Sequence, residues 1–289
     1  MKRNYQIGLF LLAAVIAITL GVFWKLSSEP TYGGRILSAW LADLDPKLPE
    51  QTRAGATNAI RAFGIKALPR MVADLQAEYP FLKQILIDLN DMPGSSSLIE
   101  EAYEKRSRAA RAFYILGAEA KSAIPELTVL MQKDNGYVSS ALAGIGPDAL
   151  STMTNALLSP TPHVAGNAAK AIQIALFRKT IQRSDVVATV PVLARNLKDS
   201  NPHTRRYAAA ALGEIRTDPF TFVPALENLL GDTNAGVRAQ AANALRKFGE
   251  NALPVIPALS NALNDPDPAV RERVEKALLE IKKSEPKTN

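Results

Sequence analysis

The residues best suited to acid–base or metal chemistry are scarce in this chain of 289 residues. The two histidines, His163 and His203, have no second ligand at a metal-binding spacing such as H-x-x-x-H, and each stands where an apolar helical run starts. We interpret both as turn and cap residues. The chain has no cysteine, which excludes a Cys nucleophile, thiolate metal sites and disulfides. The sequence therefore predicts no metal and no cofactor.

Motifs for catalysis are also missing from the sequence. No G-x-S-x-G, Walker-type loop or H-E-x-x-H motif occurs. The carboxylates that can be placed lie on predicted solvated helix faces or at helix starts, so no pair is set apart as general acid and base. Gly144-x-Gly146-x-x-Ala149 resembles a dinucleotide-binding fingerprint, but no strand precedes it and Pro147 occupies the loop. We expect no enzymatic activity and no small-molecule ligand.

Charged, apolar and proline residues instead recur with a period of 33 residues. Such a period is typical of a stacked array of helical hairpins, each burying its apolar face against its neighbours. We expect the Asp and Arg positions to bond to one another as a structural ladder, with a basic ladder for an acidic partner as the alternative. The prolines should lie in the first turn of each second helix. The recurring positions are Asp199, Asp232 and Asp265; Arg205, Arg238 and Arg271; Leu212, Leu245 and Leu278; and Pro191, Pro224 and Pro257.

A second signature marks the turns inside the hairpins. It reads Gly64-x-x-Ala67-Leu68-Pro69 in the first hairpin, and related versions start at Gly117, Gly146 and Gly249. Glycine at this point supplies the left-handed residue that ends a helix. The two patterns predict about six units and a closing helix. An insertion over residues 177–185 widens the fourth unit, and we expect it to shape the binding side.

Residues 7–24 are apolar and uncharged, and as a helix they would reach about 27 Å, close to the ~30 Å hydrocarbon core of a bilayer. With Lys2 and Arg3 before this run, the positive-inside rule places residues 1–6 in the cytoplasm and the array across the membrane. We predict a transmembrane signal anchor over 7–24, a linker and N-terminal cap helix over 25–52, a solenoid over 53–283 and a disordered tail over 284–289. A secreted protein with a cleaved signal peptide is the alternative.

The charge of the predicted array is mild. The formal net charge of +6 includes Lys2, Arg3 and Lys25, which leaves 6 − 3 = +3 for the remainder. Acidic residues are interspersed among the basic ones, whereas a nucleic-acid binder concentrates Lys and Arg on one face. We therefore expect no nucleic acid among the partners.

The spacing Asp-x-x-x-x-x-Arg before an Ala-rich helix, followed by G-x-x-A-L-P, resembles the HEAT repeat, including the short version found in bilin lyases. Residues 32–41, YGGRILSAWL, are similar to the segment Y-x-G-[RK]-x-L-S-x-W-L that precedes the array in uncharacterised bacterial membrane-tethered HEAT proteins, with Gly33 as a departure. The resemblance implies an all-α fold, an α-solenoid forming a right-handed superhelix, with an N-terminal transmembrane helix. It implies little about activity.

We predict a membrane-anchored scaffold that binds a protein partner. Arg195, Asn228 and Asn261 share one register of the second helices and are candidates for lining the curved face. Tyr32 and Trp40 are candidates for a peptide platform, although we favour Trp40 as part of an N-terminal cap helix over the first unit. The alternatives are a bilin-lyase-like enzyme or chaperone acting on a chromophore carrier, and a nucleic-acid-binding HEAT protein.

Overall fold

The structure, a computed structural model, describes residues 29–77, 95–133 and 136–284. These residues fold almost entirely into paired α-helices with short 3₁₀ turns between the partners of a pair. The prediction of an all-α solenoid of helical hairpins is therefore confirmed. The pairs follow the order that the 33-residue period indicates, and helix α11, defined below, begins and ends at the predicted residues, Pro202 and Ile215.

Within the described residues we number the α-helices in chain order. They are α1 Leu37–Ala42, α2 Glu50–Phe63, α3 Leu68–Leu75, α4 Ser95–Leu116, α5 Ile124–Met131, α6 Gly136–Ile145, α7 Leu150–Ala156, α8 Pro162–Phe177, α9 Arg183–Val186, α10 Val190–Asn196, α11 Pro202–Ile215, α12 Pro219–Asn228, α13 Ala235–Phe248, α14 Ile256–Asn261 and α15 Pro268–Lys283.

The hairpin helices form two layers. The first helices of the successive units (α2, α4, α6, α8, α11, α13 and α15) make up what we call the inner layer. The second helices (α3, α5, α7, α10, α12 and α14) make up the outer layer. A continuous core of leucine, isoleucine, valine and alanine side chains lies between the layers and runs the length of the array. Each unit therefore buries its apolar face against its neighbours, as expected for a helical repeat protein.

The inner layer is packed more closely than the outer layer. From α4 onward each inner helix packs directly against the next one, whereas the outer helices lie further apart. Glycines permit the close approach: a Cβ atom added at Gly213 would lie 2.9 Å from Cα of Ala244, and one at Gly144 would lie 2.7 Å from the backbone nitrogen of Tyr114.

The turns within the hairpins confirm the glycine signature. Gly64, Gly117, Gly146 and Gly249 have φ values of 52°, 55°, 84° and 57°, a region that glycine adopts without steric cost. Two turns lack glycine, and there Lys179 and Arg216 take φ values of 59° and 54°. A side chain in this region is strained, so these two turns hold their shape at a cost in stability.

The proline prediction is right for two units and wrong for one. Pro191 and Pro257 lie in the first turns of α10 and α14. Pro224 lies inside α12, which already begins at Pro219. This unit has no G-x-x-A-L-P turn, and Asp218 starts the helix early by accepting a hydrogen bond from the backbone N–H of Thr221 at 3.3 Å. A side-chain cap therefore overrides the repeat pattern.

The region before the array contains a small hairpin that the helical pattern did not indicate. Strand β1, Thr31–Tyr32, pairs antiparallel with strand β2, Arg35–Ile36. The two residues between them, Gly33 and Gly34, have φ values of 55° and 75°, the combination that a tight two-residue turn requires. Gly33, the departure from the similar segments, is thus the residue that permits the turn. Helix α1 follows directly, as the predicted cap helix.

The predicted membrane span, residues 7–24, lies outside the described residues. Among the helices that the structure describes, none combines the length and the apolar character needed to cross a bilayer.

Candidate partner-binding face

The predicted ladder of Asp and Arg side chains exists, and it joins successive units. Nε and Nη2 of Arg205 donate to the two carboxylate oxygens of Asp232, each at 2.7 Å, and Arg238 binds Asp265 in the same way at 2.6 and 2.8 Å. The structural interpretation of these residues is therefore confirmed over the basic-ladder alternative. Arg271 donates to the backbone oxygens of Asp265 and Pro266, and the described residues supply no carboxylate for it.

The ladder also sets the protonation of its members. The hydrogen bond from Arg205 is the main cause that lowers the pKa of Asp232 from its ordinary value, and Arg238 does the same for Asp265. In return, the hydrogen-bonded carboxylates raise the pKa values of Arg205 and Arg238. All four groups are therefore charged at neutral pH and engaged with one another, which leaves them little capacity to bind a partner.

In the C-terminal half of the array, several charges on the exposed surface of the inner layer are paired within the protein. Lys247 of α13 pairs with Glu214 of α11, and Gln173 of α8 also donates to Glu214 at 3.5 Å. Arg246 pairs with Glu280 of α15 at 2.5 Å. These contacts link four neighbouring helices, while Lys170 and Arg206 lie over the Tyr207 ring without a carboxylate partner among the described residues.

In the middle of the array, three arginines of the inner layer lack carboxylate partners. The guanidinium carbon of Arg178, at the end of α8, lies 4.8 Å from the ring centre of Tyr114 on α4. Arg111 lies one helical turn before Tyr114 on the same face. Burial, followed by the positive charges of Arg178 and Arg53, lowers the pKa of Arg111. Among the described residues, no carboxylate is within ion-pair distance of Arg53, Arg111 or Arg178.

Exposed aromatic rings accompany these cations on the inner layer. Phe177 is 67% exposed and Tyr114 is 42% exposed. Tyr103 of α4, which is 61% exposed, packs edge to face against Tyr137 of α6 with ring centres 5.5 Å apart. Exposed aromatic rings beside arginine are typical of protein-binding surfaces. Phe177 belongs to the insertion that the sequence singled out, whereas nothing in the 33-residue period distinguishes Tyr103 and Tyr114.

The predicted insertion, residues 177–185, borders this surface. It forms a wide loop after α8 and starts α9 with a reciprocal cap between Gln182 and Asp185. An open cavity of about 410 Å³ lies along it, lined by Lys179, Gln182 and Arg183 together with Glu214 of the next unit. The insertion therefore adds further polar and basic groups at the edge of the inner surface.

Tyr32 and Trp40 lie together at the N-terminal end, where they cover the first unit. The indole N–H of Trp40 donates to the backbone oxygen of Tyr32 at 3.0 Å. The Tyr32 ring packs edge on against Trp40 and against Phe63 of α2, with ring centres 6.3 and 6.1 Å apart, and the guanidinium of Arg35 stacks 4.1 Å from the Trp40 ring. These contacts favour the cap interpretation of Trp40. The role of either residue in binding stays a prediction.

Arg195, Asn228 and Asn261 are all exposed on the outer layer, at the ends of α10, α12 and α14. They lie on the other layer from the exposed aromatic rings described above. Their place on the curved face and their role in binding both remain predictions.

The two histidines make local contacts. His163 Nε2 lies 3.0 Å from the backbone oxygen of Gln132, and His203 Nε2 lies 3.2 Å from Oδ1 of the buried Asn167. Their interpretation as residues at helix starts agrees with these positions. Within the described ranges, no group of three potential metal ligands occurs.

Fold and surface together define an α-solenoid of the helical repeat class. Residues 189–278 match the family model described as HEAT repeats, so the resemblance seen in the Asp–Arg and glycine signatures is confirmed. No curated protein matches the chain significantly.

Among the solved structures similar to this chain, one with a TM-score above 0.5 supports the fold. The karyopherin Kap121p, in its structure bound to the extreme C-terminus of the protein phosphatase Cdc14p, is 15% identical over 83% of this chain with a TM-score of 0.54, and the match covers 29% of the karyopherin. The complex of CpcE and CpcF of phycocyanin lyase from Nostoc sp. PCC7120 is 22% identical over 54% of this chain and 98% of that chain, with a TM-score of 0.43. A designed armadillo repeat protein in complex with the peptide (KR)4 is 15% identical over 85% of this chain and 99% of that chain, with a TM-score of 0.44.

Proposed function

We propose that this protein is a membrane-anchored HEAT-repeat scaffold that binds another protein on the exposed surface of its inner layer. The observation that carries the proposal is the combination of unpaired arginines and exposed aromatic rings in the middle of that surface, around Tyr114, Phe177 and Arg178. A preformed helical array holds these side chains in place, so little ordering is needed when a partner binds. The karyopherin Kap121p, which shares the fold, is itself recorded with a bound protein segment.

The tether rests on the apolar residues 7–24 and on how the chain joins the array. Glu29 pairs with Arg70 of α3 and accepts a hydrogen bond from the backbone N–H of Ser38 at 2.9 Å. Only residues 25–28 separate the apolar run from this fixed point, and four residues span at most about 14 Å. The first unit would therefore stand at the membrane surface, on the extracytoplasmic side that Lys2 and Arg3 dictate.

Affinity capture of the full-length chain from detergent-solubilised membranes, with quantitative mass spectrometry, tests the binding function. We expect a protein that is enriched by the native chain, lost with the double variant Tyr114→Ala/Phe177→Ala, and retained by Leu158→Ala. Leu158 is a fair control because it is 57% exposed but lies on the outer layer, just after α7. A stably folded chain that enriches nothing, or a partner that the double variant retains, contradicts the proposal.

The anchor and the lyase-like alternative have separate tests. Alkaline extraction should leave the full-length chain in the membrane fraction, and its release into the supernatant would refute the anchor. A coloured or fluorescent adduct on a co-expressed chromophore carrier would identify an enzyme of the bilin-lyase kind instead.

A further inference from the structure

We propose that the inner surface between α2 and α8 binds an acidic segment of the protein partner, with its carboxylates held by Arg53, Arg111 and Arg178. This inference rests on the proposed scaffold function and specifies the chemistry of what the scaffold binds. Two arginines on one helix differ in whether they have a carboxylate partner. On α4, Arg108 pairs with Glu104 at 2.7 Å, whereas Arg111, one turn further along, has no carboxylate partner among the described residues.

The unpaired state of Arg111 is unfavourable in the free protein. Its guanidinium is partly buried, and the positive charges of Arg178 and Arg53 act on it. Asp45 attracts it from a longer distance without forming an ion pair. A partly desolvated cation beside two others binds a carboxylate strongly, because the carboxylate restores both the charge balance and the missing hydrogen bonds.

The contact between Arg178 and Tyr114 joins two helices that are not neighbours. Helix α6 packs between α4 and α8, and the guanidinium carbon of Arg178, at the end of α8, lies 4.8 Å from the centre of the Tyr114 ring on α4. This contact between cation and ring holds the guanidinium on the inner surface. Its N–H groups have no carboxylate within the described residues and can make a bidentate contact with a carboxylate of the partner.

The aromatic rings and the surrounding charges favour a peptide over a nucleic acid. The ion pairs of Glu104 with Arg108 on α4 and of Glu214 on α11 with Lys247 on α13 border the arginines. Carboxylates therefore interrupt the basic surface, whereas a phosphate backbone requires a continuous one. A peptide can place single carboxylates at the arginines and apolar side chains at Tyr114 and Phe177. Arg53 and Arg111 lie on neighbouring inner helices, whose axes are about 8–10 Å apart. This distance is about three residues of an extended strand, so acidic residues at every third position can reach both arginines.

The experiment is a binding titration of the purified full-length protein with a fluorescein-labelled peptide in which the triplet Glu-Ser-Leu is repeated three times. A peptide with Lys in place of Glu, and a single-stranded DNA of nine nucleotides, are the comparison ligands. We expect saturable binding of the acidic peptide below about 1 mM that salt weakens. Binding of the lysine peptide should not be measurable in the same range.

Variants connect the binding to the arginines. Arg111→Gln/Arg178→Gln should weaken binding of the acidic peptide at least about tenfold, and Arg178→Gln alone should weaken it measurably with an unchanged melting temperature, because Arg178 is exposed. The control Lys198→Gln removes an exposed cation just after α10 of the outer layer and should leave binding unchanged. Absence of saturable binding, equal binding of the lysine peptide, tighter binding of the DNA, or an unaffected Arg178→Gln variant each overturn the proposal.

The capture experiment separates this inference from the scaffold function. If the double arginine variant still captures the partner from membranes, the scaffold stands and the acidic-segment inference fails. If the native chain captures no partner, the scaffold function itself fails, whatever the peptide titration gives.

Discussion

Arg205 and Asp232, 27 residues apart in the chain, connect two neighbouring units of the array through two charged hydrogen bonds of 2.7 Å each. The third guanidinium nitrogen, Nη1, donates to the backbone oxygen of Asp199 at 2.9 Å. The Arg205 side chain thus binds both the loop before its own helix, α11, and the loop before α13 of the next unit. Arg238 and Asp265 make the same contact one unit further along the array. The same pair of side chains therefore sets the spacing at two successive junctions between units.

Replacing Arg238 by Lys should lower the free energy of unfolding by about 2 kcal/mol, because lysine cannot make the bidentate contact with a mostly buried carboxylate. The measurement is urea unfolding followed by circular dichroism.

Arg271→Lys is the matched control for this substitution. Arg271 makes the same backbone contacts at 2.7 and 3.1 Å but has no carboxylate from a following unit within the described residues. Its replacement should cost clearly less than that of Arg238. Equal losses for the two variants would mean that the contact between units contributes nothing.

Protonation of the ladder aspartates, Asp232 and Asp265, should lower the free energy of unfolding at acid pH. The pKa values of Asp232 and Asp265 are lowered in the folded state, mainly by the hydrogen bonds from Arg205 and Arg238, whereas an unfolded aspartate has a pKa of about 3.9. The unfolded state therefore binds more protons in this window. The stabilisation is present above about pH 4 and is lost as the pH falls through the lowered pKa values. Urea midpoints between about pH 5 and pH 2 should show this loss.

Two variants check the sign of this effect. Asp232→Asn/Asp265→Asn should be less stable than the native chain at neutral pH and should lose less stability below about pH 4. The Asp74→Asn variant should show the opposite dependence of stability on pH. Burial raises the pKa of Asp74, although the charge of Arg70 acts to lower it. The variant's stability relative to the native chain should rise as the pH increases through the raised pKa. A double variant with the same acid slope as the native chain would contradict the ladder account.

Gly213→Ala should lower the free energy of unfolding by about 1–3 kcal/mol, because the added methyl group would lie 2.9 Å from Cα and Cβ of Ala244 and would force α11 and α13 apart. Gly55→Ala is the control, since its methyl group would meet Cζ3 of Trp40 at 3.8 Å, an ordinary contact. This second variant should gain up to about 1 kcal/mol from helix propensity. Thermal unfolding of both variants measures the difference. An unchanged melting temperature for Gly213→Ala would show that α11 and α13 can move apart without loss of stability.

Arg216→Gly and Lys179→Gly should each raise the free energy of unfolding by about 1 kcal/mol, because glycine removes the strain of a positive φ value at a helix end. Arg178→Gly, one position before Lys179 and in the right-handed region with φ −83°, should give no such gain. Urea unfolding midpoints measure the stability of all three variants. A loss of stability in both Arg216→Gly and Lys179→Gly would mean that the positive φ values are not strained.

Trp40→Ala should lower the free energy of unfolding by about 2–3 kcal/mol if the ring covers the end of the array. The loss of packing against Tyr32 and Arg35 and of the 3.0 Å hydrogen bond to the Tyr32 backbone explains the cost. A variant with an unchanged melting temperature that no longer captures the partner would identify Trp40 as a binding residue instead.

The sequence by itself determined the architecture. The 33-residue period predicted the order of the hairpins, Gly64, Gly117, Gly146 and Gly249 marked the turns, and the Asp–Arg spacing indicated the ladder. These features are local or strictly periodic, so a pattern along the chain is enough to reveal them. Pro224 shows the limit of that reasoning, because the cap at Asp218 starts α12 early and the repeat pattern carries no trace of it.

Only the tertiary structure decided which layer is packed more closely and which side chains meet on its surface. The difference between the layers depends on distances between helices, which Gly144 and Gly213 shorten by allowing backbone contact. Arg178 stacks on Tyr114 across an intervening helix, and their separation in sequence follows no repeat. Whether an arginine has a carboxylate partner is a property of three-dimensional neighbours, so the sequence could count the charges but could not show which of them remain unpaired.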